Sequence, residues 1–189
     1  MTTLKIHPGD TEGTEVKEYP HSRRKPGPTD PVLVQLKRGS RLSPGMQSCE
    51  ILRASVVKEA MEWIGTPFHH AARVKGAGVD CLMLLAEVYE CAGVIGRIEP
   101  PFYVPDWHMH RDAERYLQGL LHYAQPIEGP PEPGDIALFR FGRTFSHGAI
   151  VVEWPRLIHA YWSIGVVWGD ATLYPLAARP VRFFTPFHQ

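Results

Sequence analysis

Three side chains are of types and at spacings that do nucleophilic chemistry: Cys81, His147 and His159. Cys81 directly follows Asp80, a residue suited to a helix N-cap, so its sulfur is expected at a helix N-terminus. Free N–H groups and partial positive charge there favour the thiolate, the reactive form. The same N–H groups can bind an oxyanion. A small buried core cysteine is the alternative reading, and Cys91, near the end of the same segment, fits it. His147 opens a strand-like run in which His147, Ala149 and Val151 point one way and Gly148, Ile150 and Val152 the other. Glu153 to Arg156 reads as a turn, and Leu157 to Trp162 returns. Antiparallel pairing about that turn sets His159 across from His147, within two residues of register and on the same face. A base beside a group that fixes its tautomer is the arrangement of a catalytic triad. A metal site is the rival use of two such histidines, although no HExxH and no paired-Cys spacing accompanies them.

The elements that must hold these residues follow from periodicity. Val57, Ala60, Met61 and Ile64 recur at helical spacing from about residue 48, and Gly65-Thr66-Pro67 ends that helix. A second helix begins at Asp80, buries Leu82, Leu85, Ala86 and Tyr89, and stops at Gly93. A third is expected over Met109 to Ala124, with Ala113, Tyr116, Leu117, Leu120, Leu121 and Ala124 on one face. Short strands then follow: Ile136 to Phe141, His147 to Glu153, Leu157 to Trp162, Val166 to Trp168 and Val181 to Phe184. Helices first and strands second imply an α+β fold with an antiparallel sheet. Asp106 and Asp135 read as turn residues. Trp162, Trp168, Phe183 and Phe184 read as core rather than as a carbohydrate platform. His69 and His70 line a cleft or are solvated loop residues.

Composition excludes several classes. Twenty Lys/Arg balance twenty Asp/Glu over 189 residues, which gives no case for nucleic acid. No apolar run approaches the roughly 20 residues of a membrane span, so no membrane insertion is expected. Three cysteines without close pairing argue against a disulfide scaffold and against structural zinc. Nothing calls for a cofactor or a metal. The first residues lead into Gly, Pro and charge rather than an apolar stretch, so no secretory signal is read there.

Residues 1 to 45 hold six Pro, five Gly and a single aromatic, Tyr19, so they cannot bury enough apolar surface to order themselves alone. Residues 1–47 are accordingly expected to form an arm, with Val32 to Leu36 a candidate strand against a partner. Residues 48–189 are expected to form the domain.

Several segments taken in order resemble the NlpC-type, papain-like cysteine peptidases over about residues 50 to 186. They are Gly65-Thr66-Pro67-Phe68, Asp80-Cys81, Pro133-Gly134-Asp135-Ile136-Ala137-Leu138-Phe139, Ser146-His147-Gly148-Ala149-Ile150-Val151 and Ile158-His159-Ala160. Pro101-Phe102-Tyr103-Val104-Pro105-Asp106-Trp107 is similar to the phage tail-assembly branch of that family. The resemblance implies a papain-like fold with the nucleophile's helix packed on the sheet that bears the base. It implies Cys81 as nucleophile, His147 as base and His159 as the orienting group. Phe68, His69 and Asp80 are the residues expected to meet substrate. The implied substrate is the peptidoglycan stem peptide, cut between γ-D-glutamate and a diamino acid. The implied setting is a virion tail, assembled in the host cytoplasm and acting in the bacterial wall, with other tail-tip or hub proteins as partners of the arm. A structural tail-assembly protein with little activity is the alternative. The chain departs from the family in having Phe68 where Tyr is usual, and Leu82 and Met83 where Ser and Gly are usual. A lost hydroxyl donor to an oxyanion costs about 10²–10³ in rate, so a slow enzyme is expected.

Overall fold

A computed structural model describes residues 44–99, 103 and 114–187. The arm up to residue 43, its candidate strand Val32 to Leu36, His108, His110 and the first half of the expected third helix lie outside the described residues.

Helix α1 runs over Pro44–Glu62 and buries Val57 and Ala60 of the expected face together with Val56, while Met61 and Ile64 are only partly buried. A two-stranded hairpin follows, β1 (Arg73–Val74) with β2 (Gly78–Val79). Helix α2 then spans Cys81–Cys91. Its N-cap is Asp80, whose carboxylate accepts the N–H groups of Leu82 and Met83. It ends as expected, with Gly93 in the left-handed region at φ 72°. Met83, Leu84, Leu85, Ala86, Val88 and Tyr89 are all buried, more than one stripe, because α2 packs on α1 and on the sheet at once.

The third helix is shorter than its apolar spacing suggested. Helix α3 covers only Arg115–Leu120, and Leu121 to Tyr123 form a turn. Leu121 is exposed rather than part of a buried face. Glu114 is non-helical, and its carboxylate accepts the Phe145 N–H at 2.8 Å.

The remaining strands are β3 (Gln125–Pro126), β4 (Ile136–Phe141), β5 (Thr144–Glu153), β6 (Arg156–Tyr161), β7 (Gly165–Asp170) and β8 (Val181–Thr185). They form a six-stranded antiparallel sheet in the order β3-β8-β4-β5-β6-β7. The α+β class and the antiparallel sheet are as expected.

Both faces of the central strands are buried. Ile136, Leu138, Ile150, Val152, Ile158 and Ala160 join the helices in one apolar cluster. Ala137, Phe139, Ala149, Val151 and Leu157 form a second on the reverse face, closed by Leu176 from the segment between β7 and β8. Full burial of a side chain such as Leu84 contributes about 1.5–3 kcal/mol. The Pro133-Gly134-Asp135 turn is structural. Asp135 accepts from Arg53 (2.8 Å) and from the Glu132 N–H (2.8 Å), tying α1 to the start of β4. Trp162, expected in the core, is 61% exposed and rests on the Phe68 ring at 5.3 Å.

Candidate active site

The site is built where β5 and β6 part. Their pairing holds at Ile150↔Ile158 and Val151↔Leu157, and no pair is formed between the earlier part of β5 and the rest of β6. On its other side β5 stays paired with β4, but with a bulge: Phe139 faces His147 while Arg140 faces Phe145, leaving Ser146 as the extra residue. Val151 exchanges hydrogen bonds with the turn before β4, donating to Asp135 O (2.8 Å) and accepting from Gly134 N–H (2.8 Å). By alternation Gly148 turns its N–H away from β4, toward the opening.

The tip of α2 fills that opening. The Cys81 thiol donates to Ser146 O at 3.9 Å, and Gly148 N–H donates to the sulfur. These groups flank His147 in the chain, so the thiol lies against the backbone of the residue whose ring is the candidate base. Close approach requires glycine at 148: an added Cβ would lie 2.2 Å from the Tyr116 hydroxyl and 2.7 Å from Leu85 Cδ1.

The two imidazoles span the opening from the reverse face. His147 Nε2 and His159 Nδ1 are 2.7 Å apart, one donating to the other. Continuing the β5–β6 register sets His159 opposite Ala149, so the two histidines meet diagonally, two residues apart and on one face. The expected offset and face hold, but the packing differs from the expected one. The rings contact Phe139, Phe141 and Tyr161 on the side away from α2, while the thiol meets the backbone on either side of His147. His147 hydrogen-bonds His159 and makes no hydrogen bond to the sulfur. Gly169 on β7 lets the His159 ring fit, since a Cβ there would come within 2.9 Å of Nε2. The 2.7 Å spacing suits a shared proton. Two nitrogens on one zinc at about 2.0–2.1 Å each would stand further apart. Among the described residues no group of three or more His, Cys, Asp or Glu is arranged to hold a metal ion.

Electrostatics keep the resting site neutral. Burial pushes the Cys81 thiol up to about 12, and the Asp80 carboxylate adds to the rise. The N–H groups of Gly148, Cys81 and Leu82 pull the other way and do not prevail. The stabilised thiolate expected at a helix N-terminus is therefore overridden, because the carboxylate that caps the helix sits beside the sulfur. Burial also holds His147 well below its ordinary value, with His159 and Arg179 adding to the effect, and lowers His159 to about 4. Resting Cys81 should consequently be alkylated by iodoacetamide more slowly than exposed Cys91 near neutral pH. Its rate should keep rising through pH 10. Timed peptide mapping reads this directly, and faster labelling of Cys81 at pH 7 would contradict a neutral thiol.

The three expected substrate residues sit close in sequence but differ in role. Asp80 is buried, and both its oxygens are used within the protein: by Leu82 and Met83, by Ala71 N–H (2.7 Å) and by the Tyr103 hydroxyl (2.6 Å). Phe68 bridges to Val79, just before Asp80, and packs under Trp162. His69 is exposed, with its ring over Gly78. It is His70 that joins the network, with Nε2 at 2.9 Å from Tyr103 O and Nδ1 at 3.4 Å from Asp80.

The hydroxyls next to the nucleophile come from elsewhere. Tyr116 donates to Cys81 O at 3.3 Å, and Tyr103 straps Asp80. Tyr103 belongs to the motif noted in the sequence, whereas Tyr116 read only as a helix core position. Neither spacing points to Cys81 without the fold.

No protein-family model and no curated relative matches the chain. Solved structures do. NlpC1 and NlpC2 from Trichomonas vaginalis align with TM-scores of 0.50 and 0.51 at 23% and 22% identity. The alignments cover 68% and 71% of this chain and 41% and 48% of theirs, so the chain spans less than half the length of either. The NlpC/p60 domain of the peptidoglycan hydrolase SagA aligns at 0.49 and 23% identity, over 69% of this chain and 96% of that one. The chain thus carries an NlpC-type α+β fold.

Proposed function

We propose that the chain is a cysteine endopeptidase acting on peptidoglycan stem peptides, with Cys81 as nucleophile, His147 as base and His159 as the group that orients it. One observation carries the reading: the Cys81 thiol lies against Ser146 O and Gly148 N–H, the groups on either side of His147, whose ring is paired with His159. His147 Nε2–H donates to His159 Nδ1, which leaves Nδ1 of His147 unprotonated and able to take the thiol proton. Because both partners rest neutral, proton transfer accompanies attack on the substrate carbonyl. Sulfur bonds to that carbon, and the oxyanion faces the N–H groups of Cys81 and Gly148, which already point at the sulfur. His147 then returns the proton to the leaving amine, and water hydrolyses the thioester.

The bond between γ-D-glutamate and a diamino acid is the proposed target, and a phage tail tip the proposed setting, with residues 1–47 docking on neighbouring tail proteins. The sequence resemblance supports both. The second reading, a tail-assembly protein with weak activity, is favoured by the raised thiol and by Phe68, which carries no hydroxyl. Digestion of purified peptidoglycan with product masses separates the two. The native chain should release γ-D-glutamyl-terminated fragments, Cys81→Ala should release none, and deletion of residues 1–43 should leave digestion intact while lowering the chain's content in purified particles. Equal product from native and Cys81→Ala protein would end the peptidase reading.

A further inference from the structure

Beside the imidazole pair lies a cation that the chemistry above does not use. Arg179 sits between β7 and β8, on the face to which His147 and His159 point. Its Nε donates to Pro175 O at 2.5 Å and its Nη1 to Arg140 O at 3.5 Å. Its Cζ lies 3.7 Å from the centroid of the Phe141 ring, and that ring lies 5.0 Å from His147. The guanidinium is held in place by two carbonyls and a stack. Among the described residues it has no carboxylate within ion-pair distance, and its Nη2 has no partner. Arg53, Arg73, Lys75 and Arg97 each have an acidic neighbour. Arg156 and Arg182 share with Arg179 a place over a ring and no ion pair among the described residues, and of these three only Arg179 bears on His147. A half-buried, immobilised and uncompensated guanidinium next to a reactive centre is suited to a planar anion, because its fork matches a carboxylate.

We propose that Arg179 binds a free carboxylate of the substrate close to the scissile amide, resting on the peptidase reading above. The two spacings in series keep the guanidinium within about two to three residues' length of the imidazole. In a γ-linked glutamyl peptide the α-carboxylate carbon stands four bonds from the scissile carbonyl carbon, inside that reach. Binding would neutralise the half-buried charge and orient the acyl side of the substrate. A peptide amidated at that position would leave the guanidinium unpaired.

Two synthetic stem peptides that differ only there, α-carboxylate against α-carboxamide, test the assignment. The native enzyme should prefer the acid by roughly 10- to 100-fold in kcat/KM, mostly through KM. Arg179→Gln should erase the preference, so that acid and amide are turned over alike. Arg179→Lys should retain part of it, and should the Gln variant not fold, the Lys variant must still show a reduced preference. A purely structural role would lower both substrates equally, and that result, or a preference undiminished in either variant, overturns the proposal. If the native enzyme cleaves neither peptide, the peptidase reading fails. Calorimetric binding of the same pair to Cys81→Ala protein, with and without Arg179→Gln, then decides the carboxylate site by itself.

Discussion

Replacing His147 by Ala is expected to lower kcat/KM on a stem-peptide substrate by about 10⁴-fold or more. Burial and the Asp80 carboxylate hold the thiol up at about 12, so almost none of it ionises unaided near pH 7. Without the imidazole the sulfur is left beside the Asp80 carboxylate, whose oxygens are already engaged by the N–H groups of Ala71, Leu82 and Met83 and by the Tyr103 hydroxyl. An enzyme with a preformed thiolate would lose less. His159→Ala should cost less than His147→Ala, because His147 keeps its basic nitrogen but loses the acceptor that fixes its tautomer. His159→Asn should recover part of the loss, since an amide oxygen can accept the Nε2–H. Steady-state kinetics on one soluble substrate ranks the three variants. Full activity in His159→Ala would mean that the 2.7 Å contact plays no part in turnover.

Lowering the pH from 7 to 4.5 should cost the domain about 2–3 kcal/mol of stability through His159 alone. In the folded chain burial lowers His159 to about 4, while the unfolded chain titrates near the ordinary 6.5. Between these values the unfolded state binds the extra proton, so stability is full above about 6.5 and falls as the pH drops toward 4. His147, held well below its ordinary value, acts in the same direction. Against a typical total of about 5–15 kcal/mol the loss is large. Urea unfolding at pH 7.0 and 4.5 measures it. His159→Asn removes one titration and should flatten the slope, and a variant whose pH dependence matches the native one would place His159 in contact with water.

Several elements were legible because their causes are local. Asp80 before an apolar run is an N-cap and a helix start whatever surrounds it, and α2 begins and ends where that pattern says. The alternation of β5 and the turn before Leu157 placed two histidines on one face, since strand period and turn position leave little choice. The third helix was overread at its C-terminal end, because apolar spacing was counted through Leu121, which lies in a turn and is exposed. Trp162 was misplaced for a related reason: an aromatic after a strand shows its size but not its side, and here it rests on Phe68 from outside.

The sequence by itself determined α1, α2 and five strands of the sheet with their order, the α+β class and the identity of three residues that can do nucleophilic chemistry, but not the β1–β2 hairpin or β3. Only the tertiary structure decided how they meet. The bulge at Ser146 and the parting of β5 from β6 let the tip of α2 enter the sheet, so sulfur and imidazoles approach one opening from opposite sides. The charge state was decided the same way. A helix N-terminus favours a thiolate in isolation, but dense packing and a capping carboxylate beside the sulfur reverse that preference. Tyr103, Tyr116 and Arg179 were invisible as site residues because their partners lie far along the chain. Caps and alternation act over a few residues and can be read there, whereas burial and charge pairing depend on which distant segments the core brings together.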